Sequence, residues 1–368
     1  MFQKVGCTVL SILLASIISA SLIPSSFAQK HKEKHTKNHT EKMATPIPVK
    51  VVVVAMFESG EITGDRPGEF QFWVERLNLD TVLPFKMGEY ELRMNGDGVL
   101  GICVGGGIPN ATASIMALGM DSRFDLRDAY WLIAGIAGAD PADMSLGSAA
   151  WARWVIDGDL LYEIDGREIP EEWPYGLIPL GAEKPQDIST GWTVSTISFE
   201  LNAGLTNWAF NLTKDVKIPD SPGIREFRKQ FKGFPNAQRP PFVTMGETLS
   251  SSTYWHGALM DEWANDWVKL YSNEKMNFMT SNMEDSGTMT AIHRLGRVGL
   301  VDPERVLILR TASNFTIPPP GKKAAWSATA PYADDGLPAK EAAFQIGNVV
   351  VQEILRNWPI YKDSIPGQ

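Results

Sequence analysis

Residues 99–120 read VLGICVGGGIPNATASIMALGM. The first six are apolar or glycine, as in a strand covered on both faces. Gly105, Gly106 and Gly107 then break the run, and the last ten residues have helical character. A strand, a glycine loop and a helix in succession mark an α/β chain. The alternation recurs on either side. Strands are expected at 49–56, 130–136, 149–156, 241–245, 278–283 and 305–311, and helices at 255–271, 286–295 and 340–357. No internal repeat interrupts the pattern. The expected fold is a single α/β domain over 46–368, a three-layer α/β/α sandwich. Residues 160–238, rich in Pro, Gly and Trp, read as a long irregular insertion or as loops that cover a site.

With 368 residues, 44% of them hydrophobic, the chain can bury a sizeable core. Lys4, the apolar run 9–23 and Ser26-Phe27-Ala28 together read as a secretory signal peptide spanning 1–28. Residues 29–45 are polar and basic, and read as a disordered tether. His31, His35 and His39 in it would form a metal-binding stripe on a helix, but a solvated tail is the preferred reading. No metal or other cofactor is expected. No later apolar run reaches the ~18 residues of a membrane span. The expectation is therefore an exported protein, periplasmic or extracellular, without membrane insertion once the leader is cleaved. Cys7 would leave with the leader, and Cys103 alone can form no internal disulfide. The formal charge of −9 argues against nucleic acid as a partner.

In open α/β sheets, ligands bind beyond the carboxyl ends of strands. Those ends carry Phe57-Glu58-Ser59-Gly60-Glu61, then the triple glycine, GIAGADP, ETLSSSTYWHG, Asn282-Met283-Glu284-Asp285 and Ala312-Ser313-Asn314-Phe315. Each residue also has a plain structural reading. Glu284 and Asp285 can be the acidic first turn of a helix capped by Asn282. Tyr254 and Trp255 can be core aromatics, Asn314 a turn residue, and Glu58 an exposed loop acid.

The ends taken together resemble the nucleoside phosphorylase superfamily. GGGIPNATASI is similar to its glycine loop and helix, ETLSSSTYWHG to its base-stacking segment, NMEDSGTM to its Met-Glu ribose motif, and RTASNF to its purine-contacting strand. MFESGE, GEFQFWVERL, GGGIPNATASIMALG, NMEDSGTMTAI and LRTASNFTIPPPG resemble the purine nucleoside permeases over nearly all of the chain beyond the tether. The resemblance implies a mixed, partly barrel-like central sheet. It implies purine nucleosides as ligands (inosine, guanosine, adenosine) and a homo-oligomer, since relatives often complete their sites across subunits.

It also implies roles. Glu284 would grip the ribose hydroxyls, with Met283 packed on the sugar and Gly105, Gly106 and Gly107 near the anomeric carbon. Tyr254, with Trp255 as the neighbouring candidate, would stack on the base. Asn314 would donate to N7 and accept from a ring N–H, which suits a 6-oxopurine. Glu58 would activate water, with Glu61 as its rival, and His256 would meet the ribose 5′-hydroxyl. Asp285 departs from the small or hydroxyl residue common there, and its role is open. The activity so implied is hydrolysis of the N-glycosidic bond by Glu58 and Asn314. The alternatives are a binding protein that supports nucleoside uptake, and a phosphorylase. For phosphorolysis, Val104 replaces a common hydroxyl, and Arg66 has the wrong spacing from its strand.

Overall fold

A computed structural model describes residues 45–188, 192–272 and 276–368. The leader, nearly all of the tether and the three tether histidines lie outside the described residues. The described chain is built on a twelve-stranded sheet. Its strands are β1 Val51–Ala55, β2 Thr81–Leu83, β3 Leu92–Met94, β4 Val99–Cys103, β5 Tyr130–Ala139, β6 Ala149–Ala152, β7 Trp154–Asp157, β8 Ser198–Glu200, β9 Val243–Met245, β10 Glu247–Ser250, β11 Phe278–Asn282 and β12 Val306–Phe315. The helices used below are α1 Gln71–Arg76, α2 Ile108–Gly119, α3 Ala203–Thr213, α4 Pro222–Arg228, α5 Ala258–Tyr271, α6 Asp285–Arg297 and α7 Leu337–Arg356.

The valine run of β1 shows why the sheet is covered on both sides. Successive side chains of a strand point to opposite faces. Val52 and Val54 pack in one core with Ile115 and Leu118 of α2 and Ile292 and Leu295 of α6. Val51 and Val53 pack in another with Trp73 of α1 and Ile346 and Val350 of α7. Both valine pairs are fully buried, each side chain contributing roughly 1.5–3 kcal/mol. This is the expected layered α/β arrangement. Helices α2 and α6 approach closely: a Cβ on Gly287 would meet the Ile108 carbonyl oxygen at 2.4 Å.

The hydrogen-bonded order runs β8-β7-β10-β11-β5-β1-β4-β3-β2, with β12 also on β5, β6 on β12, and β9 on β6. The sheet is mixed, because β5 is parallel to β1 and β12 but antiparallel to β11. The run 149–156, expected as one strand, breaks at Arg153. Its first half joins β12 and its second half joins β10. Residues 243–250 break likewise at Gly246, where a Cβ would meet Met279 at 2.6 Å. Through these two bends the strand path returns toward β5, which curls the sheet.

Two strands outrun their expected ends. β5 continues past Ile136 and β12 past Thr311, because their last residues find partners. Gly138 and Ala139 pair with β11 on one edge and with Asn314 and Phe315 on the other. Glycine and alanine there hide the strand from any hydrophobic count. Residues 160–238, read as irregular, hold β8, α3 and α4. Asn202 Oδ1 accepts from Leu205 N–H at 3.1 Å and Ser221 Oγ from Ile224 N–H at 3.4 Å, so both helices carry ordinary N-terminal caps. Among the described residues, no helix is long and apolar enough to cross a membrane.

Candidate functional site

The site grows from a divergence in the sheet. One edge of β5 pairs with β12 along its length. The other pairs with β1 over Tyr130–Ile133, then with β11 at Gly138 and Ala139. Between these stretches the edge of β5 loses its strand neighbour, and its backbone groups need other partners. Glu69 supplies one. Its Oε2 accepts from Met56 N–H, just past β1, at 2.9 Å, and its Oε1 from Ile136 N–H at 2.6 Å. A cavity of about 260 Å³ opens at this point, with Glu69 and Glu284 both in its wall.

Glu284 reaches the wall through a tight strand-to-helix link. Asn282, the last residue of β11, accepts from the N–H groups of Glu284 and Asp285, both at 2.9 Å. The capping reading of this stretch is met, and it leaves Glu284 in the cavity wall. The carboxylate of Glu284 accepts from Gly107 N–H at 3.3 Å and from Met283 N–H at 3.1 Å. Gly105 and Gly107 have φ of 85° and 92°, which lets the glycine loop turn its N–H toward Glu284. Gly105, Gly106 and Gly107 back Glu284 and are not themselves lining residues.

Several further expected residues converge on the cavity: Met283, Tyr254, Trp255 and Asn314. Asn314 Nδ2 donates to the Tyr254 hydroxyl at 3.0 Å, and its Oδ1 accepts from Ser313 at 2.9 Å. The Tyr332 hydroxyl lies 3.4 Å from that of Tyr254. Trp255 has a second role, packing edge-on against Trp263 at 5.8 Å.

Glu58, Glu61, His256 and Asp285 do not line the cavity. The Glu58 carboxylate accepts from the N–H groups of Ser59 at 2.8 Å, Phe70 at 3.1 Å and Gln71 at 2.7 Å, and from Gly68. It thereby anchors the loop before α1 and holds the start of that helix. Glu61 is exposed in the same loop. Both ring nitrogens of His256 are buried without a hydrogen-bond partner among the described residues. Asp285 lies fully buried behind the wall, paired with Arg310.

Two residues of this centre escaped the sequence reading. Glu69 is separated from its strand by the loop that Glu58 organises. Its signal was an acid two residues before the helical run QFWVER. Arg310 is a lone cation inside the apolar strand VLILRTASNF, where a buried charge demands a partner. Its guanidinium binds Asp285 through two nitrogens, reaches Glu284 at 3.4 Å and donates to the Ile136 carbonyl at 3.1 Å.

Electrostatics follow from burial. Burial pushes the Glu69 carboxyl up to about 7; Arg310 opposes the rise, Glu284 adds to it, and the two N–H bonds oppose it. Glu284 is also raised by burial, with Arg310 opposing and Asp285 adding. One wall thus offers an acid that changes protonation near neutrality beside a carboxylate with free acceptor capacity. Such a pair can take a proton from water and grip a diol.

The model of the family described as purine nucleoside permease (NUP) matches residues 48–366. A probable purine nucleoside permease of Schizosaccharomyces pombe is 34% identical over 218 residues, 57% of this chain and 62% of that one. A purine nucleoside permease of Candida albicans is 31% identical over 269 residues, 72% of this chain and 66% of that one. The match therefore spans somewhat under two thirds of the length of these relatives. Futalosine hydrolase of Helicobacter pylori superposes with a TM-score of 0.50 at 15% identity, over 83% of this chain and 98% of that one. The 5′-methylthioadenosine/S-adenosylhomocysteine nucleosidase of Neisseria meningitidis, in complex with methylthio-immucillin-A, gives 0.47 at 14% identity, over 84% and 100%. At such identity the likeness to futalosine hydrolase speaks to the fold alone.

Proposed function

The chain belongs to the purine nucleoside permease family, and from that premise we propose that its cavity binds a purine nucleoside and cleaves the N-glycosidic bond with water. The observation that carries the reading is the placement of Glu69 and Glu284 in one cavity wall, with Asn314 and Tyr254 in the same cavity. Glu284 grips the two ribose hydroxyls and Met283 packs on the sugar. Tyr254 and Trp255 flank the base, and Asn314 hydrogen-bonds its edge. Glu69, rather than Glu58, takes the proton of the attacking water. The water oxygen bonds to C1′, the C1′–N9 bond breaks, and its electron pair leaves with the base. A base group with a pKa near 7 suits that transfer at neutral pH. Asn314 has no acidic proton to give, so it stabilises the departing base by hydrogen bonding alone, which favours 6-oxopurines such as inosine and guanosine over adenosine.

A second reading is a binding protein that delivers nucleosides for uptake, favoured by the permease description that the relatives carry. Phosphorolysis has less support, because the described residues that line the cavity include no Arg, Lys or His to hold phosphate. The leader-like start of the chain supports export to the periplasm or the exterior.

The test is incubation with inosine and guanosine, with and without phosphate, following free base and sugar product. Free base with ribose, independent of phosphate, is expected. Tight binding without base release would leave the uptake reading. Phosphate-dependent ribose 1-phosphate would replace hydrolysis by phosphorolysis.

A further inference from the structure

Behind Glu284 lies a charge pair that the proposed reaction does not use. Asp285 and Arg310 are 0% and 1% exposed. Arg310 Nε donates to Asp285 Oδ2 at 3.0 Å, and Nη2 donates to the other oxygen. Only Nη2 reaches Glu284, and at 3.4 Å. Two neighbouring carboxylates thus share one guanidinium unequally. The one behind the wall takes the fork, and the one in the wall receives an edge contact.

The backbone imposes this division. Asn282 accepts from the N–H groups of both acids, so their side chains leave the first turn of α6 in different directions. The contacts of Glu284, to Gly107, Met283 and Arg310, are all 3.1 Å or longer. A carboxylate offers about four acceptor directions. Weak contacts of this kind leave room for two strong bonds from a vicinal diol. A bidentate fork on Glu284 would fill that room, because paired Arg–carboxylate bonds are short and strong.

We propose that Asp285 is a positioning residue: by holding the fork of Arg310 it keeps the guanidinium from closing on Glu284, and so makes the site selective for nucleosides with a free 2′,3′-diol. The inference rests on the reading of the cavity as a nucleoside site. It accounts for the acid at position 285, which the sequence comparison left without a role. Asp285→Asn keeps the shape but removes the charge, so the guanidinium fork turns to the nearest remaining carboxylate, Glu284.

The test measures binding of inosine, 2′,3′-dideoxyinosine and hypoxanthine at pH 8 to three proteins: wild type, Asp285→Asn, and Asp285→Asn combined with Arg310→Gln. Wild type is expected to prefer inosine over the dideoxynucleoside. Asp285→Asn should lose about tenfold or more in inosine affinity, with the other two ligands within about twofold. The double variant has no guanidinium to close on Glu284 and should regain most of the preference. Asp285→Asn with unchanged preference would overturn the proposal. So would an equal loss for all three ligands, the mark of a merely structural role, or a double variant as poor as the single one. If Asp285→Asn does not fold, the double variant decides: preference within about threefold of wild type upholds the proposal and lost preference overturns it. A wild type with no preference for inosine would instead sink the nucleoside-site reading.

Discussion

Two strand ends supply the acids of this cavity, and they differ in how far the chain travels before it returns. After β11, Asn282, Met283, Glu284 and Asp285 pass straight into α6, and one asparagine side chain fixes both following N–H groups. After β1, a loop intervenes before α1, and two of its acids divide the work. Glu58 binds the loop's own backbone, whereas Glu69 returns to Met56 and Ile136 at the gap in the sheet. A short link leaves a side chain little choice of direction. A long one makes the outcome depend on what the rest of the fold leaves unpaired.

The contrast can be broken most forcefully at Glu69. Glu69→Gln should lower kcat for inosine by about 10²–10⁴-fold while inosine affinity changes less than about fivefold. Steady-state kinetics with equilibrium binding checks this. A comparable collapse from Glu58→Gln, with Glu69→Gln mild, would return the base to the residue nearer the strand.

Glu284→Ala comes next, with about a hundredfold loss of ribonucleoside affinity from two charge-assisted hydrogen bonds. Hypoxanthine binding should stay within about threefold. Calorimetry on both ligands separates the outcomes, and parallel losses would remove Glu284 from the ribose.

The elevated Glu69 carboxyl has two consequences with pH. Turnover should rise as pH passes about 7, since only the ionised form accepts a proton from water. Stability should move the other way. The ordinary value is 4.5 and the folded value about 7, so between them the folded chain holds a proton that the unfolded chain has released. The stabilisation is full below pH 4.5 and is lost as pH rises through about 7, by up to about 3 kcal/mol. Melting of wild type and Glu69→Gln at pH 5 and pH 8 tests this. Wild type should lose ground to the variant on going to pH 8, and parallel curves would contradict the buried, protonated acid.

Glu58→Gln should act through the loop, lowering stability by about 1–3 kcal/mol and kcat by about tenfold, with the pH midpoint of turnover preserved. A shifted midpoint would mean that Glu58 itself titrates in the reaction. The smallest effect is expected at Tyr254→Phe, which removes the acceptor for Asn314 Nδ2. About a threefold rise in KM for inosine is expected, and no change would confine Tyr254 to stacking.

Much of this was legible in residue order. The valine run of β1 announced a strand buried on both faces. The glycine loop announced a turn into a helix, and its Gly107 N–H does meet Glu284. Met283, Glu284, Tyr254, Trp255 and Asn314 could be named because the motifs at the expected strand ends resemble those of a known family, and all five line one cavity. The ends of β5 and β12 were less legible, because their glycine and alanine residues gain strand character only from partners distant in sequence.

By itself the sequence determined the layered α/β class, the faces of the strands and the acid beside the cap of α6, because those follow from side-chain periodicity and contacts a few residues apart. Only the tertiary structure decided that Glu69 faces the cavity while Glu58 binds its own loop, and that Asp285 rather than Glu284 takes the fork of Arg310. Those choices depend on which backbone groups a diverging sheet leaves unpaired, and on which of two buried acids a distant guanidinium can reach. Neither quantity is local to any stretch of the chain.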